Sequence, residues 1–421
     1  MPLQLCCSFL PVFLLGMAAY FSGMPSSKPL VNSLLPASGR ETRLVMLQEE
    51  EFPFARCLDG SMAGFYRRQG NVAKTIIWLE GGGWCYAEDC DHVTNESTLE
   101  NCRSRAKTDL GSSAGWSRRG DEWFATGDLS SDCTENPVFC EWTVIAVPYC
   151  DGAGFAGNAE VDGLHFRGKA ILQAVLAEAI RMGLRESSQV VFSGGSAGAL
   201  AVLHFADEVR DIINLTAGEV VAIPDAGFFL DVPDVANKPC WQEQMRSIYT
   251  IAAACPNLQK ACVRRHPTDP CRCIYPEYYA DLVETRTFLV QSLYDTSELW
   301  YTLRLPCCPP GLCEHSRWET CTDGSVEMQR FTALREQHIR AWKPLVRRKG
   351  NGAWSIACLE HTMMWKWFTS RWYQVPGESG RTIAQAVHKW LERTDWANHS
   401  ENMDVWEDVA WPHNKDCAYY M

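Results

Sequence analysis

Short runs of β-branched and apolar residues alternate along the chain with stretches in which apolar residues recur every three or four positions. Residues 75–79, 143–148, 189–193, 219–224 and 287–293 are continuous enough to be strands buried on both faces. Between them, residues 167–182 set Ile171, Leu172, Val175, Leu176 and Ala179 on one helical face, and residues 197–212 do the same with Leu200, Leu203 and Val209. This alternation predicts an α/β fold, a mostly parallel sheet with helices on both faces. Ile383, Ala384, Val387, Trp390 and Leu391 mark a further amphipathic helix, and that stripe reads as core packing. Residues 84–140 and 238–323 break the pattern. They are rich in Cys, Gly, Pro and charge without a clear period, as expected of disulfide-clamped insertions over one face of the sheet. The expected organisation is one domain over residues 25–394, an N-terminal segment 1–24 and a C-terminal tail 395–421 of unassigned structure.

Composition narrows the function classes. The 421 residues are 46% hydrophobic and 21% charged, which excludes a disordered or fibrous chain. A net charge of −12 provides no overall basic field for a nucleic-acid backbone or an anionic membrane. Of 20 cysteines, Cys6 and Cys7 lie in an N-terminal apolar run and 18 remain, a density that suits an oxidising compartment. A zinc site at Cys255, Cys262, Cys271 and Cys273 is the rival reading, but their spacing contains no C-x2-C. Residues 1–27 carry no charge and include an apolar core from Phe9 to Tyr20, so a secretory signal, cleaved or retained as an anchor, is expected. No later stretch could span a bilayer, and Asn95, Asn214 and Asn398 are candidate glycan acceptors.

The chemistry centres on Gly194-Gly195-Ser196-Ala197-Gly198, which follows one expected strand and opens an expected helix. Strand, sharp turn and helix form the setting of a nucleophile elbow, in which small flanking residues let the chain present a serine hydroxyl above the sheet. Glu80-Gly81-Gly82-Gly83-Trp84, directly after another strand, exposes backbone N–H groups that could hold an oxyanion together with Ala197. A phosphate loop is the competing reading, and the downstream Gly-Lys-Ser/Thr that it requires is missing. In the chain order Ser, then acid, then His, Asp295 ends the last expected strand, and Asp225, ending the strand before it, is the rival acid. Of the later histidines, His361 follows the apolar run 354–359 as a loop residue just off the sheet would. His388 falls inside an amphipathic helix, His315 and His338 in a Cys-rich loop and a helical segment, and His399 and His413 in the tail. No cofactor and no metal are called for.

Several segments together resemble those of pectin acetylesterases and the related Notum carboxylesterases. They are Cys57-Leu58-Asp59-Gly60-Ser61, Leu79-Glu80-Gly81-Gly82-Gly83-Trp84-Cys85, Pro148-Tyr149-Cys150-Asp151-Gly152, Phe166-Arg167-Gly168, Ser193-Gly194-Gly195-Ser196-Ala197-Gly198, Asp225-Ala226-Gly227-Phe228-Phe229, Tyr294-Asp295 and the helix from Thr382 to Val387. The resemblance implies an α/β-hydrolase-like fold with Ser196 as nucleophile, Asp295 as acid and His361 as base. It also implies Gly82, Gly83 and Ala197 as oxyanion donors. The chain departs from pectin acetylesterases at Gly195, where they carry Cys, and at Thr362-Met363, where they carry Cys-Gln. The lipid-removing Notum form has a tryptophan where Gly83 stands, so the glycine loop resembles the pectin acetylesterase form.

The function expected is a secreted serine carboxylesterase acting on O-acetyl groups of a polysaccharide such as pectin. The alternatives are a Notum-like protein deacylase and an inactive glycan-binding relative. An acidic substrate would require local cations, for which Arg67-Arg68, Arg103-Ser104-Arg105 and Arg264-Arg265 are candidates.

Overall fold

Each of the five apolar runs forms a strand in the computed structural model, which describes residues 41–118, 124–307, 320–371, 373–375, 381–394 and 405–410. The expectations for residues 1–24 and Asn398 lie outside the described residues. In chain order the strands are β1 (Thr42–Met46), β2 (Gly64–Arg68), β3 (Asn71–Leu79), β4 (Trp142–Val147), β5 (Ala159–Val161), β6 (Leu164–Phe166), β7 (Gln189–Gly195), β8 (Glu219–Asp225), β9 (Phe288–Ser292), β10 (Gly352–Ile356) and β11 (Val405–Glu407). The helices are α1 (Asn95–Arg105), α2 (Gly168–Arg181), α3 (Ala197–Ile213), α4 (Cys240–Ile251), α5 (Lys260–Arg265), α6 (Val326–Val346), α7 (Met364–Trp367) and α8 (Ile383–Leu391).

Among the described residues the main sheet runs in the order β1-β2-β4-β3-β7-β8-β9-β10-β11 and is flanked by helices. β2 is antiparallel to β1 and β4, and every other neighbouring pair is parallel. The Val- and Ile-rich strands β4, β7 and β8 are buried almost throughout, as a parallel sheet covered on both faces requires. Register then aligns the strand ends. Leu79 pairs with Gly194, and Gly195 with Asp225, so the segments that follow β3, β7 and β8 emerge side by side. Ile356 pairs with Ser292, which brings together the segments after β9 and β10. In open α/β sheets this carboxyl edge of the strands is where ligands bind.

The two Cys-rich insertions hold more regular structure than their sequence suggests. α1 is fixed by a reciprocal capping box between Thr94 and Ser97. α4 buries Trp241, Met245, Ile248 and Tyr249, a helical spacing obscured by the Gln, Glu and Arg residues between them. Disulfides pin these segments: Cys57–Cys150, Cys85–Cys102, Cys90–Cys240, Cys133–Cys140, Cys255–Cys271, Cys262–Cys273 and Cys307–Cys321. The four cysteines that offered a zinc alternative are thus paired with one another. Asn95 and Asn214, at the start of α1 and the end of α3, are both exposed.

Candidate active site

Ser196 stands between β7 and α3 with φ 55° and ψ −122°, a left-handed conformation that a non-glycine residue occupies only under constraint. Its neighbours supply the constraint. The Ser196 N–H donates to the Asp225 carbonyl at the end of β8, and a β-carbon at Gly198 would stand 2.2 Å from the Leu79 carbonyl oxygen. α3 therefore starts almost in contact with the end of β3, and the serine is pushed up to the carboxyl edge of the sheet, 9% exposed.

At that edge the structure brings Ser196, His361 and Asp295 together. His361 Nδ1 donates to the Asp295 carboxylate at 2.8 and 2.9 Å, which leaves Nε2 to accept from Ser196 Oγ at 2.7 Å. Asp295 is fully buried and held from two further sides, by the Ser297 N–H at 2.8 Å and by Gln291 Nε2 at 3.1 Å. Burial pulls the His361 imidazole pKa down, but the charge and hydrogen bond of Asp295, joined by the nearby Asp225 and Glu298, outweigh it and leave His361 above its ordinary value.

The glycine loop lies directly against the serine. A β-carbon at Gly81 would be 2.5 Å from the Gly195 carbonyl oxygen and 2.7 Å from Ser196 Cβ, so only glycine allows the approach. Gly82 and Gly83 follow with positive φ, and the Arg105 guanidinium donates to the Gly82 carbonyl. Ala197 opens α3, where first-turn N–H groups have no partner inside the helix. Beside this loop the Phe229 ring packs on His361 at 6.1 Å and on Trp84 at 5.3 Å. Trp241 closes the cluster against both Trp84 and Phe229.

Comparison with known proteins fits this geometry: the pectinacetylesterase family profile matches residues 36–418. The chain belongs to the pectinacetylesterase family. Pectin acetylesterase 5 of Arabidopsis thaliana is 30% identical over 382 residues, covering 86% of this chain and 82% of its own. Pectin acetylesterase 4 of the same plant is 29% identical over 351 residues, covering 80% of each. Palmitoleoyl-protein carboxylesterase notum2 of Xenopus laevis is 27% identical over 387 residues, covering 86% of this chain and 71% of its own. As a member of the pectinacetylesterase family the protein is a carboxylic ester hydrolase.

The rival acid, Asp225, makes no hydrogen bond to His361. Its Oδ2 accepts from the N–H groups of Met363 and Met364 at 2.7 and 2.8 Å, tying the segment after His361 to the end of β8. Burial, with Asp128 adding to it, pushes this carboxyl up to about 8. Asp225→Ala would strand two N–H groups, and we expect it to cost about 2 kcal/mol or more of stability and to slow turnover by loosening His361. Thermal melting alongside kcat checks this; an unchanged melting temperature would contradict it.

Of the candidate cations, Arg68 is buried and donates to the Leu129 carbonyl, Arg103 pairs with Glu96 and Asp162, and Arg265 pairs with Asp281. Only Arg105 among these touches the glycine loop. Sequence reasoning missed its contact with Gly82, as it missed Gln291, whose Oε1 accepts from the Phe228 N–H while its Nε2 holds Asp295.

Proposed function

We propose that the protein is a secreted serine esterase that removes O-acetyl groups from an acidic polysaccharide such as pectin through an acyl-enzyme on Ser196. The observation that carries this reading is the unbroken hydrogen-bond chain from Asp295 through His361 to Ser196. Ser196 Oγ attacks the ester carbonyl as its proton passes to His361 Nε2. The tetrahedral oxyanion takes hydrogen bonds from the N–H groups of Gly82, Gly83 and Ala197. Collapse transfers the proton from His361 to the departing sugar hydroxyl and leaves acetyl on Ser196. Water, deprotonated by His361, then releases acetate and restores the serine. The Phe229 ring packs on His361 and is backed by Trp84 and Trp241, an aromatic cluster that favours a short acyl group. Seven disulfides among the described residues favour secretion. No described helix is long and apolar enough to cross a membrane.

The test is acetate release from acetylated pectin, compared with neutral acetylated xylan and with long-chain acyl esters. Pectin should give the highest kcat/KM. A palmitoyl-type ester in first place would replace this reading with a protein deacylase, and xylan in first place would remove the acidic substrate.

The pH dependence follows from His361. Only the neutral imidazole accepts the serine proton, so kcat/KM falls as pH drops below a pKa that lies above the ordinary 6.5. Asp295→Asn removes the leading raising charge, so the limb should move to lower pH while the rate falls by about 10⁴-fold. Rate profiles of both proteins check it; a limb that stays in place in the variant would contradict the assignment of His361 as base.

Arg105 has a role of its own in this scheme. A trans peptide points its C=O and N–H in opposite directions, so a guanidinium that fixes the Gly82 carbonyl also fixes the Gly83 N–H. Arg105→Gln should lower kcat by about tenfold to a hundredfold with little change in KM, and Arg105→Lys should recover part of the loss. Steady-state kinetics of the two variants decide it; a change confined to KM would assign Arg105 to substrate binding.

A further inference from the structure

α6 places a histidine where its pattern calls for a hydrophobe. Met328, Phe331, Leu334, Trp342 and Leu345 form its buried stripe, and His338 sits in the middle of it with no exposure. Its Nε2 meets Glu298 Oε2 at 2.5 Å, and Glu298 is itself buried. Burial acts to lower the His338 pKa, but the charge and hydrogen bond of Glu298, joined by Asp295 and Glu277, outweigh it and hold it above its ordinary value. An ion pair taken fully out of water seldom stabilises a fold more than well-packed apolar residues would, so packing alone does not explain this histidine.

The other oxygen of Glu298 supplies the explanation. Oε1 accepts from the Leu230 N–H at 2.8 Å. After β8 the chain runs through buried positions at Phe228, Phe229 and Leu230 without strand or helix, so its N–H groups need partners from elsewhere. Side chains provide them: Gln291 takes the Phe228 N–H at 3.1 Å, Glu298 that of Leu230, and Glu277 that of Asp231 at 2.8 Å. Phe229, between two of these anchors, packs its ring 6.1 Å from that of His361. Hydrogen bonds at Nδ1 and Nε2 leave an imidazole free to tilt about the line joining the two nitrogens, and a ring packed on it resists that tilt. Glu298 also lies three residues after Asp295, in a turn whose Leu299 N–H donates back to the Asp295 carbonyl at 3.0 Å. One residue thereby joins the turn that follows the acid to the segment that carries the ring.

We propose that Glu298, which His338 holds in place, is a positioning residue for the reaction: it keeps the Phe229 ring against His361, so that the imidazole stays in line between Ser196 and Asp295 while it takes and returns the proton. The role rests on the assignment of Ser196, His361 and Asp295 given above.

Two conservative variants separate reach from charge. Glu298→Gln keeps an oxygen for the Leu230 N–H and loses the charge, whereas Glu298→Asp keeps the charge and is one methylene too short to serve both Leu230 and His338. With 4-nitrophenyl acetate, Glu298→Asp should lower kcat by at least about tenfold with KM within about twofold, and Glu298→Gln should stay within about fivefold of the parent. Phe229→Ala should lower kcat by about tenfold as well, and adding Glu298→Asp to it should cost less than about threefold more, because the ring that Glu298 positions is already gone. All of these proteins should melt cooperatively. Equal losses in the Gln and Asp variants, no loss in the Asp variant, full additivity with Phe229→Ala, or an Asp variant without a cooperative melt would overturn the proposal. Failure of the serine mechanism has a different signature: Ser196→Ala then keeps its turnover, whatever the Glu298 variants do.

Discussion

Ser196→Ala should lower ester hydrolysis by about 10⁴- to 10⁶-fold and leave the fold intact. The loss is large because the oxyanion donors and the His361 base act on an acyl-enzyme route that no longer exists once the hydroxyl is gone. The fold should survive because, among the described residues, the Ser196 hydroxyl hydrogen-bonds with His361 alone, while the constraint on the elbow comes from backbone contacts with Asp225 and from the close packing of Gly81 and Gly198. Alanine keeps the same β-carbon in the same strained turn. Purified variant and parent should give equal melting temperatures, and only the parent should be labelled by a fluorophosphonate. Turnover within tenfold of the parent would reject the acyl-enzyme.

Reduction should unfold the protein. Cys57–Cys150 closes a separation of 93 residues, worth about 4–5 kcal/mol in the chain-entropy account. A domain's whole margin is about 5–15 kcal/mol, and this bond is one of seven among the described residues. Cys85–Cys102 has a second effect: it turns the chain back after the glycine loop, so that the end of α1 brings Arg105 over Gly82. Activity should therefore fall along with the melting temperature as reductant is raised. Intact mass before and after reduction checks that the cysteines are bonded, a non-reducing peptide map checks the pairing, and full activity in a protein with mostly free thiols would refute the argument.

The parts of this site that were legible in the sequence are the local ones. The strand, turn and helix around Ser196 occupy one continuous stretch, and the parallel strands announce themselves because burial on both faces selects unbroken Val and Ile. β1 and β2 escaped notice because they lie toward one side of the sheet, with Arg43 inside β1 and Arg67 and Arg68 ending β2. β11, three residues long, has no pattern to read. Asp225 and Asp295 each come at or just after the end of an apolar run, and one dimension cannot say which carboxylate faces His361. The distinction lies in long-range contacts, one acid receiving an imidazole and the other two backbone N–H groups. Arg105 was hidden for the same reason, since a disulfide rather than sequence proximity delivers it to the loop.

β11 lies beyond the last described helix, yet it pairs with β10, the strand that leads to His361. Asp408, just after it, accepts from the Ala357 N–H and donates its own N–H to the Ser355 carbonyl. A protease nick after residue 394 would therefore remove more than an appendage. It would bare the backbone of β10 as an open edge able to pair with another molecule, and it would release the footing of the segment that carries the histidine. Loss of those last residues would both silence such an enzyme and leave it prone to associate through the bared strand.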